Sequence, residues 1–183
     1  MFATILFKWL GWRERVTVEI PRKCILCVAP HTSNWDFVIG KMYYWAKGER
    51  AEFLMKKEWF FGPFGVVFRK MGGIPVERNR SVSLTDQLAA RAAAAGDFRL
   101  AVTPEGTRAL ARIWKRGFYY IALKAGIPIA LYALDFGRRE IVCTKLLYPS
   151  GDVEADMREI MAYYRPFRGR HPERFVTEEF PEK

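Results

Sequence analysis

The sequence predicts an α/β fold, a single domain over residues 1–183 with a mostly parallel central sheet flanked by helices. Three observations carry this. Short apolar runs closed by proline or glycine alternate with segments of helical length. Half of the 183 residues are hydrophobic, which suits one compact core. The polar residues best suited to chemistry, His31, Arg78 and Glu105, each follow an expected strand, where α/β sheets collect ligands.

In chain order, residues 16–20 alternate and read as an edge strand. Residues 24–29 are a short apolar run stopped by Pro30, as in a buried strand. Residues 34–47 have a helical pattern that Gly48 ends. Residues 51–55 form a second core strand. Residues 59–68 are apolar and aromatic but broken by Gly62, Pro63 and Gly65, so core packing, a loop over a substrate groove and a second membrane-contact segment all stay open. Residues 73–77 are a short strand. Residues 81–95 are alanine-rich, with Ser81 as cap and Gly96 as stop. Residues 99–103 form a strand ending at Pro104. A helix over 117–125 closes at Gly126, strands follow at 128–134 and 140–147, and a last helix covers 153–164. The final twenty residues read as polar and loose.

The net charge of +10 is unevenly placed. Residues 1–138 hold 22 Lys/Arg against 11 Asp/Glu, whereas residues 139–183 hold 8 against 9. A basic surface attracts lipid headgroups, nucleic acid or a phosphate-rich co-substrate. The longest uncharged run, 24–35, has twelve residues, short of the about twenty that a span needs. No secretory signal pattern opens the chain. Cys24 and Cys27 form a C-x-x-C without a second pair, which favours small buried residues over a metal site. No metal is expected, and a reducing, cytoplasmic setting follows.

His31 and Asp36 are five residues apart. On one helix they would point roughly 140° from each other, so they meet only if His31 precedes the helix and Asp36 lies in its first turn. Pro30 and the cap-forming Thr32, Ser33 and Asn34 favour that arrangement. Asp36 would then hold one imidazole nitrogen, and the other would take a proton from a hydroxyl. A capping box, Ser33 with Asp36, is the competing reading of the same residues. No serine or cysteine sits in a nucleophile-elbow motif. Arg78, at the end of its strand, would present a planar charged fork to a phosphate. The turn at Pro104-Glu105-Gly106-Thr107-Arg108 would bind an anion through backbone amides and the guanidinium.

His31-x-x-x-x-Asp36, Gly73-Ile74-Pro75-Val76-Glu77-Arg78, Pro104-Glu105-Gly106-Thr107-Arg108 and Gly126-Ile127-Pro128-Ile129 resemble, in order and spacing, the four motifs of the glycerolipid acyltransferases, which include the lysophosphatidic acid acyltransferases. The resemblance spans about residues 24–135, with Lys56-Lys57-Glu58 resembling the family's linking segment. It implies a glycerol-3-phosphate acyltransferase-like fold with His31 as general base and Asp36 as its partner. It implies Ser33, Lys56, Arg78, Pro104, Glu105, Gly106, Thr107 and Arg108 around the substrates, and Ile127 and Pro128 near the acyl path. The donor would be the thioester of acyl-CoA or acyl carrier protein, with no permanently bound cofactor. The acceptor would be a lysolipid such as 1-acyl-glycerol-3-phosphate. Thr103 and Ala109 depart from the family's usual large apolar residue and serine. They leave the general base intact and keep a non-phosphate lipid acceptor, hydroxyl or amine, open.

Phe2, Ile5, Leu6 and Trp9 fall on one helical face, within a segment 1–12 that would either contact a membrane or pack on the core. An enzyme peripheral to the cytoplasmic side of an anionic membrane is expected. A non-catalytic basic module for membrane or nucleic acid is the reading of another class. It would interleave aromatics and lysines on an exposed sheet, whereas here the aromatics sit in apolar runs and Asp36 and Glu105 would repel phosphates. No nucleic-acid partner is expected.

Overall fold

The computed structural model describes Phe7, residues 9–76 and residues 83–177. Strand β2 (Lys23–Ala29) lies in the middle of its sheet because it is apolar on both faces. Ile25, Cys27 and Ala29 face one hydrophobic cluster, and Cys24 and Leu26 face another. β5 (Phe98–Val102) and β6 (Ile129–Asp135) flank it in parallel. β3 (Glu52–Lys56) and β4 (Gly73–Val76) extend the sheet beyond β5, also in parallel. β7 (Glu140–Cys143) runs antiparallel to β6, and β1 (Arg13–Val16) pairs with β7 at the edge. β8 (Leu146–Leu147) pairs with β6 as well. The order is β1-β7-β6-β2-β5-β3-β4. Five parallel strands therefore end at one edge, and the loops after β2 and β5 open there.

The helices are α1 (Asn34–Ala46), α2 (Gly62–Lys70), α3 (Leu84–Ala94), α4 (Gly117–Ala125) and α5 (Val153–Tyr164). Right-handed crossovers put α1 and α2 on one face of the sheet, α3 and α4 on the other. Contacts agree: Lys41 of α1 donates to the carbonyl of Met71 just past α2, and Lys124 of α4 pairs with Asp86 of α3. Gly126 ends α4 in the left-handed conformation, φ +64°.

Several expectations need correction. The first strand is Arg13–Val16 rather than 16–20: Arg13 and Arg15 sit 3.8 Å from Glu140, whereas Val18 and Ile20 pack on the core after the ladder has ended. The run 140–147 is two strands. Ala133 faces Val142 and Ala130 faces Leu146, so the outer strand carries one extra residue, a bulge. There the Thr144 N–H leaves the ladder and donates to the Tyr163 hydroxyl at 3.2 Å. α3 begins at Leu84, and the expected cap Ser81 lies outside the described residues. Residues 59–68 do not join the core: a 3-10 turn at Lys57–Trp59 leads into α2, which buries only Gly65. The tail is not loose up to residue 177. Phe167 is buried and Phe136 donates to the Arg168 carbonyl at 2.8 Å.

Of the N-terminal stripe, Trp9 is 80% exposed, and Phe2, Ile5 and Leu6 lie outside the described residues. Among the described residues of the segment, Phe7 and Trp12 are buried in the core, the latter edge-on to Phe136, and Leu10 packs against it. Cys24 and Cys27 point to opposite faces of β2, so they cannot share one ion. Burial pushes the Cys24 thiol up to about 12 and raises Cys27 further. No helix among the described residues is long and apolar enough to cross a membrane.

Candidate active site

His31 lies two residues past β2, and Asp36 lies in the first turn of α1. Ser33 is the N-cap of α1: its Oγ accepts the Trp35 N–H at 2.9 Å. Asp36 Oδ2 accepts the N–H groups of Thr32 and Ser33, both at 2.8 Å, and lies 3.1 Å from His31 Nδ1. The capping box and the His–Asp pair are thus the same structure. The box fixes the carboxylate, and the loop ahead of it swings the imidazole over. The His31–Asp36 contact is close but not aligned as a hydrogen bond, so Nδ1 and Asp36 Oδ1 both lack a well-directed partner. Asp36 is 3% exposed, whereas the imidazole borders the cleft and Nε2 takes no protein partner among the described residues.

Glu105, expected beside a substrate, is buried beneath the loop instead. Its Oε1 accepts the His31 backbone N–H at 2.8 Å, and Oε2 has no partner. Burial pushes its carboxyl up to about 7; the His31 N–H and the imidazole act the other way, and Asp36 adds to the rise. Two carboxyls from distant parts of the chain therefore grip His31, one at the ring and one at the backbone.

The ladder between β3 and β5 is two pairs long, Glu52 with Leu100 and Phe53 with Ala101. Beyond it the strands part. A cleft of about 1920 Å³ opens there, walled by Leu54, Met55 and Lys56 on one side and Val102, Thr103 and Pro104 on the other, and continues under α1 past Leu26, Tyr43, Tyr132 and Ile141. Phe37 lines it from the α1 side, Leu88 and Phe118 from the α3 and α4 side, and His31 and Asp36 at the polar rim. Apolar walls with a few convergent polar groups are what a lipid-like ligand requires.

Of the expected substrate residues, Lys56, Pro104 and Gly106 border the cleft with His31 and Asp36. Ser33 and Glu105 do not: one caps a helix and the other braces the loop. Thr107 and Arg108 are exposed on the loop after β5 and do not line the cleft; Thr107 Oγ1 accepts the Ala109 N–H at 3.2 Å. The Gly106 amide donates within its own turn, to the Thr103 carbonyl at 3.0 Å, so it is not free for an anion. Ile127 and Pro128 precede β6 at the opposite edge of the sheet, roughly 20 Å from His31 along the strand direction. They do not line the cleft. Arg78 lies outside the described residues.

Three cleft lysines, Lys41, Lys57 and Lys115, were not anticipated as site residues. Lys115 packs on Gly106, whose φ is +64°; a Cβ there would come within 2.8 Å of Lys115 Nζ. Its place just before α4, at the same sheet edge as His31, was the available signal. Lys41 stands on α1 and donates to the Ala51 and Met71 carbonyls. Burial lowers its ammonium to about 8. As one of 30 basic residues it carried no signal in the sequence.

No curated protein sequence is significantly similar to the chain. Among solved structures, the 1-acyl-sn-glycerophosphate (LPA) acyltransferase PlsC from Thermotoga maritima superposes with a TM-score of 0.63. The match covers 90% of this chain and 74% of that one at 19% identity, and so shows a shared fold. The family model described as Acyltransferase matches residues 14–133, which include His31, Asp36, the β3–β5 cleft and Glu105; the chain belongs to the acyltransferase family.

Proposed function

We propose that the protein transfers a fatty acyl group from acyl-CoA or acyl carrier protein to the hydroxyl of a lysophospholipid such as 1-acyl-glycerol-3-phosphate. The observation that carries this is the placement of His31. It is held at the ring by Asp36 and at the backbone by Glu105, with Nε2 free at the rim of an apolar cleft. Nε2 takes the hydroxyl proton as the oxygen attacks the thioester carbonyl. The tetrahedral intermediate then collapses, breaking the carbon–sulfur bond, and the thiolate takes the proton from Nε2. Asp36 stabilises the imidazolium between the two steps. General base help of this kind is worth about two to four orders of magnitude in rate. Lys56 and Lys115 at the cleft, with Arg78 beyond β4, would hold the acceptor's phosphate.

A second acceptor class rests on Arg108. Its position away from the cleft removes one of two expected guanidiniums from the phosphate site, which favours a non-phosphate lipid hydroxyl or amine. Incubation of purified protein with acyl-CoA or acyl carrier protein and a panel of lysolipids, read by mass spectrometry, decides between them. Acylated 1-acyl-glycerol-3-phosphate as the main product supports the first. Equal transfer to acceptors with and without phosphate supports the second. No transfer to any acceptor overturns both.

A further inference from the structure

Helix α2 is an apolar element without cover. Of its nine residues only Gly65 is buried, and a Cβ there would lie 2.8 Å from the Phe60 carbonyl oxygen. That contact seats the helix on the preceding turn and leaves its other side chains outside. Trp59, Phe61, Phe64, Val66 and Val67 are each more than half exposed. The segment from Lys56 to Lys70 also holds Lys57, Arg69 and a single acid, Glu58. Lys56, Lys57 and Phe61 border the mouth of the cleft, so whatever covers α2 meets the entrance to the site.

We propose that α2 and the Trp59–Phe61 turn before it dock the protein on an anionic bilayer, with the apolar side chains inserted at the headgroup boundary and the basic ones among the phosphates. The inference rests on the lipid-substrate reading only for its purpose, not for its geometry. Charge complementarity favours this occupant. A second copy in a two-fold contact would set Lys57, Arg69 and Lys70 against themselves. Docked this way, an acyl product moves sideways into lipid without crossing water.

The test is sedimentation with vesicles of phosphatidylcholine, with and without phosphatidylglycerol, for the unmodified protein and for Trp59→Ser/Phe64→Ser/Val67→Ser. Acyl transfer to a short-chain, water-soluble acceptor is measured beside it. The unmodified protein is expected to sediment with anionic vesicles and to release as salt rises, because the Debye length shrinks from about 10 Å at 0.1 M to about 3 Å at 1 M. The triple variant should lose about tenfold or more in vesicle partition, with soluble-acceptor transfer unchanged. Arg69→Glu/Lys70→Glu should weaken binding at low salt alone. Failure of the unmodified protein to sediment, equal sedimentation of the triple variant, or a change of its oligomeric state would each overturn the proposal. Vesicle binding that depends on α2 in a protein that transfers no acyl group would uphold the docking surface and reject the enzymatic reading.

Discussion

At His31 two carboxyl groups converge from different parts of the chain, and each has a separable effect. Asp36 both closes the cap of α1 and faces the imidazole. Asp36→Asn keeps an oxygen for the cap but replaces the charge beside Nδ1, so kcat should fall by about two to four orders of magnitude in a folded protein. His31→Ala should lose at least as much. Normal turnover in either variant, with an unchanged thermal midpoint, would remove the general base. Glu105 acts through titration. Its carboxyl is pushed from 4.5 up to about 7 in the fold. Between those pH values the unfolded chain has lost the proton and the folded chain still holds it. Stability therefore falls as pH rises through that window and levels off above about 7. The loss should approach about 3 kcal/mol. Glu105→Gln keeps an acceptor for the His31 N–H and removes the titration. Urea unfolding from pH 4.5 to 8 should show this slope in the parent protein and not in the variant; parallel curves would mean that Glu105 is charged throughout.

The elements differ in how much of their neighbourhood the sequence carries. α4 and α5 have the boundaries expected from the sequence, since Gly126 and the Asp152 cap act within one turn. The bulge at Thr144 was illegible because it depends on the Tyr163 hydroxyl, from a helix nearly twenty residues later. α2 was illegible as a helix because Gly62, Pro63 and Gly65 break its pattern, and its lack of cover is a property of the fold. In the site, the His31–Asp36 spacing was legible because both residues sit at one cap. Glu105 was misplaced because its partner is a backbone N–H 74 residues away. α5 is anchored by such a remote contact. The Tyr119 hydroxyl donates to buried Asp156 at 2.7 Å and accepts the Gly151 N–H at 3.1 Å. Tyr119→Phe leaves that N–H without an acceptor, and Asp156 with Ser150 alone. Stability should fall by about 1–2 kcal/mol with turnover kept, because Tyr119 does not line the cleft. Equal urea midpoints would show that Ser150 suffices.

Across the whole molecule, the loop that carries His31 is covered from outside by the segment after α5. The described tail runs from the end of α5 back across the sheet edge. There Phe136 donates to the Arg168 carbonyl at 2.8 Å, and the His171 N–H donates to Thr32 Oγ1 at 3.1 Å. Arg170 lies 5.3 Å from the centre of the Trp35 ring. Between them Gly169 presses on the loop: a Cβ there would lie 2.7 Å from Thr32 Oγ1, 2.9 Å from Thr32 Cγ2 and 3.0 Å from Pro30 Cβ. Thr32 is fully buried and adjoins His31, so an added methyl has no room unless the loop moves. Gly169→Ala should therefore displace His31 from Asp36 and Glu105 while leaving the cleft walls in place. The expected signature is a fall in kcat of about tenfold or more, with KM for acceptor and donor unchanged, because misplacing a catalytic group by about 1 Å suffices for such losses. Thr32→Ala alone removes the acceptor of the His171 N–H and should cost about 1–3 kcal/mol of stability. In the double variant, Thr32→Ala with Gly169→Ala, the methyl added by the second substitution occupies the space that the threonine gives up. Its loss of turnover should be smaller than the two single losses combined, a coupling that a double-mutant cycle reads directly. Strictly additive losses would show that the methyl at residue 169 does not act through Thr32.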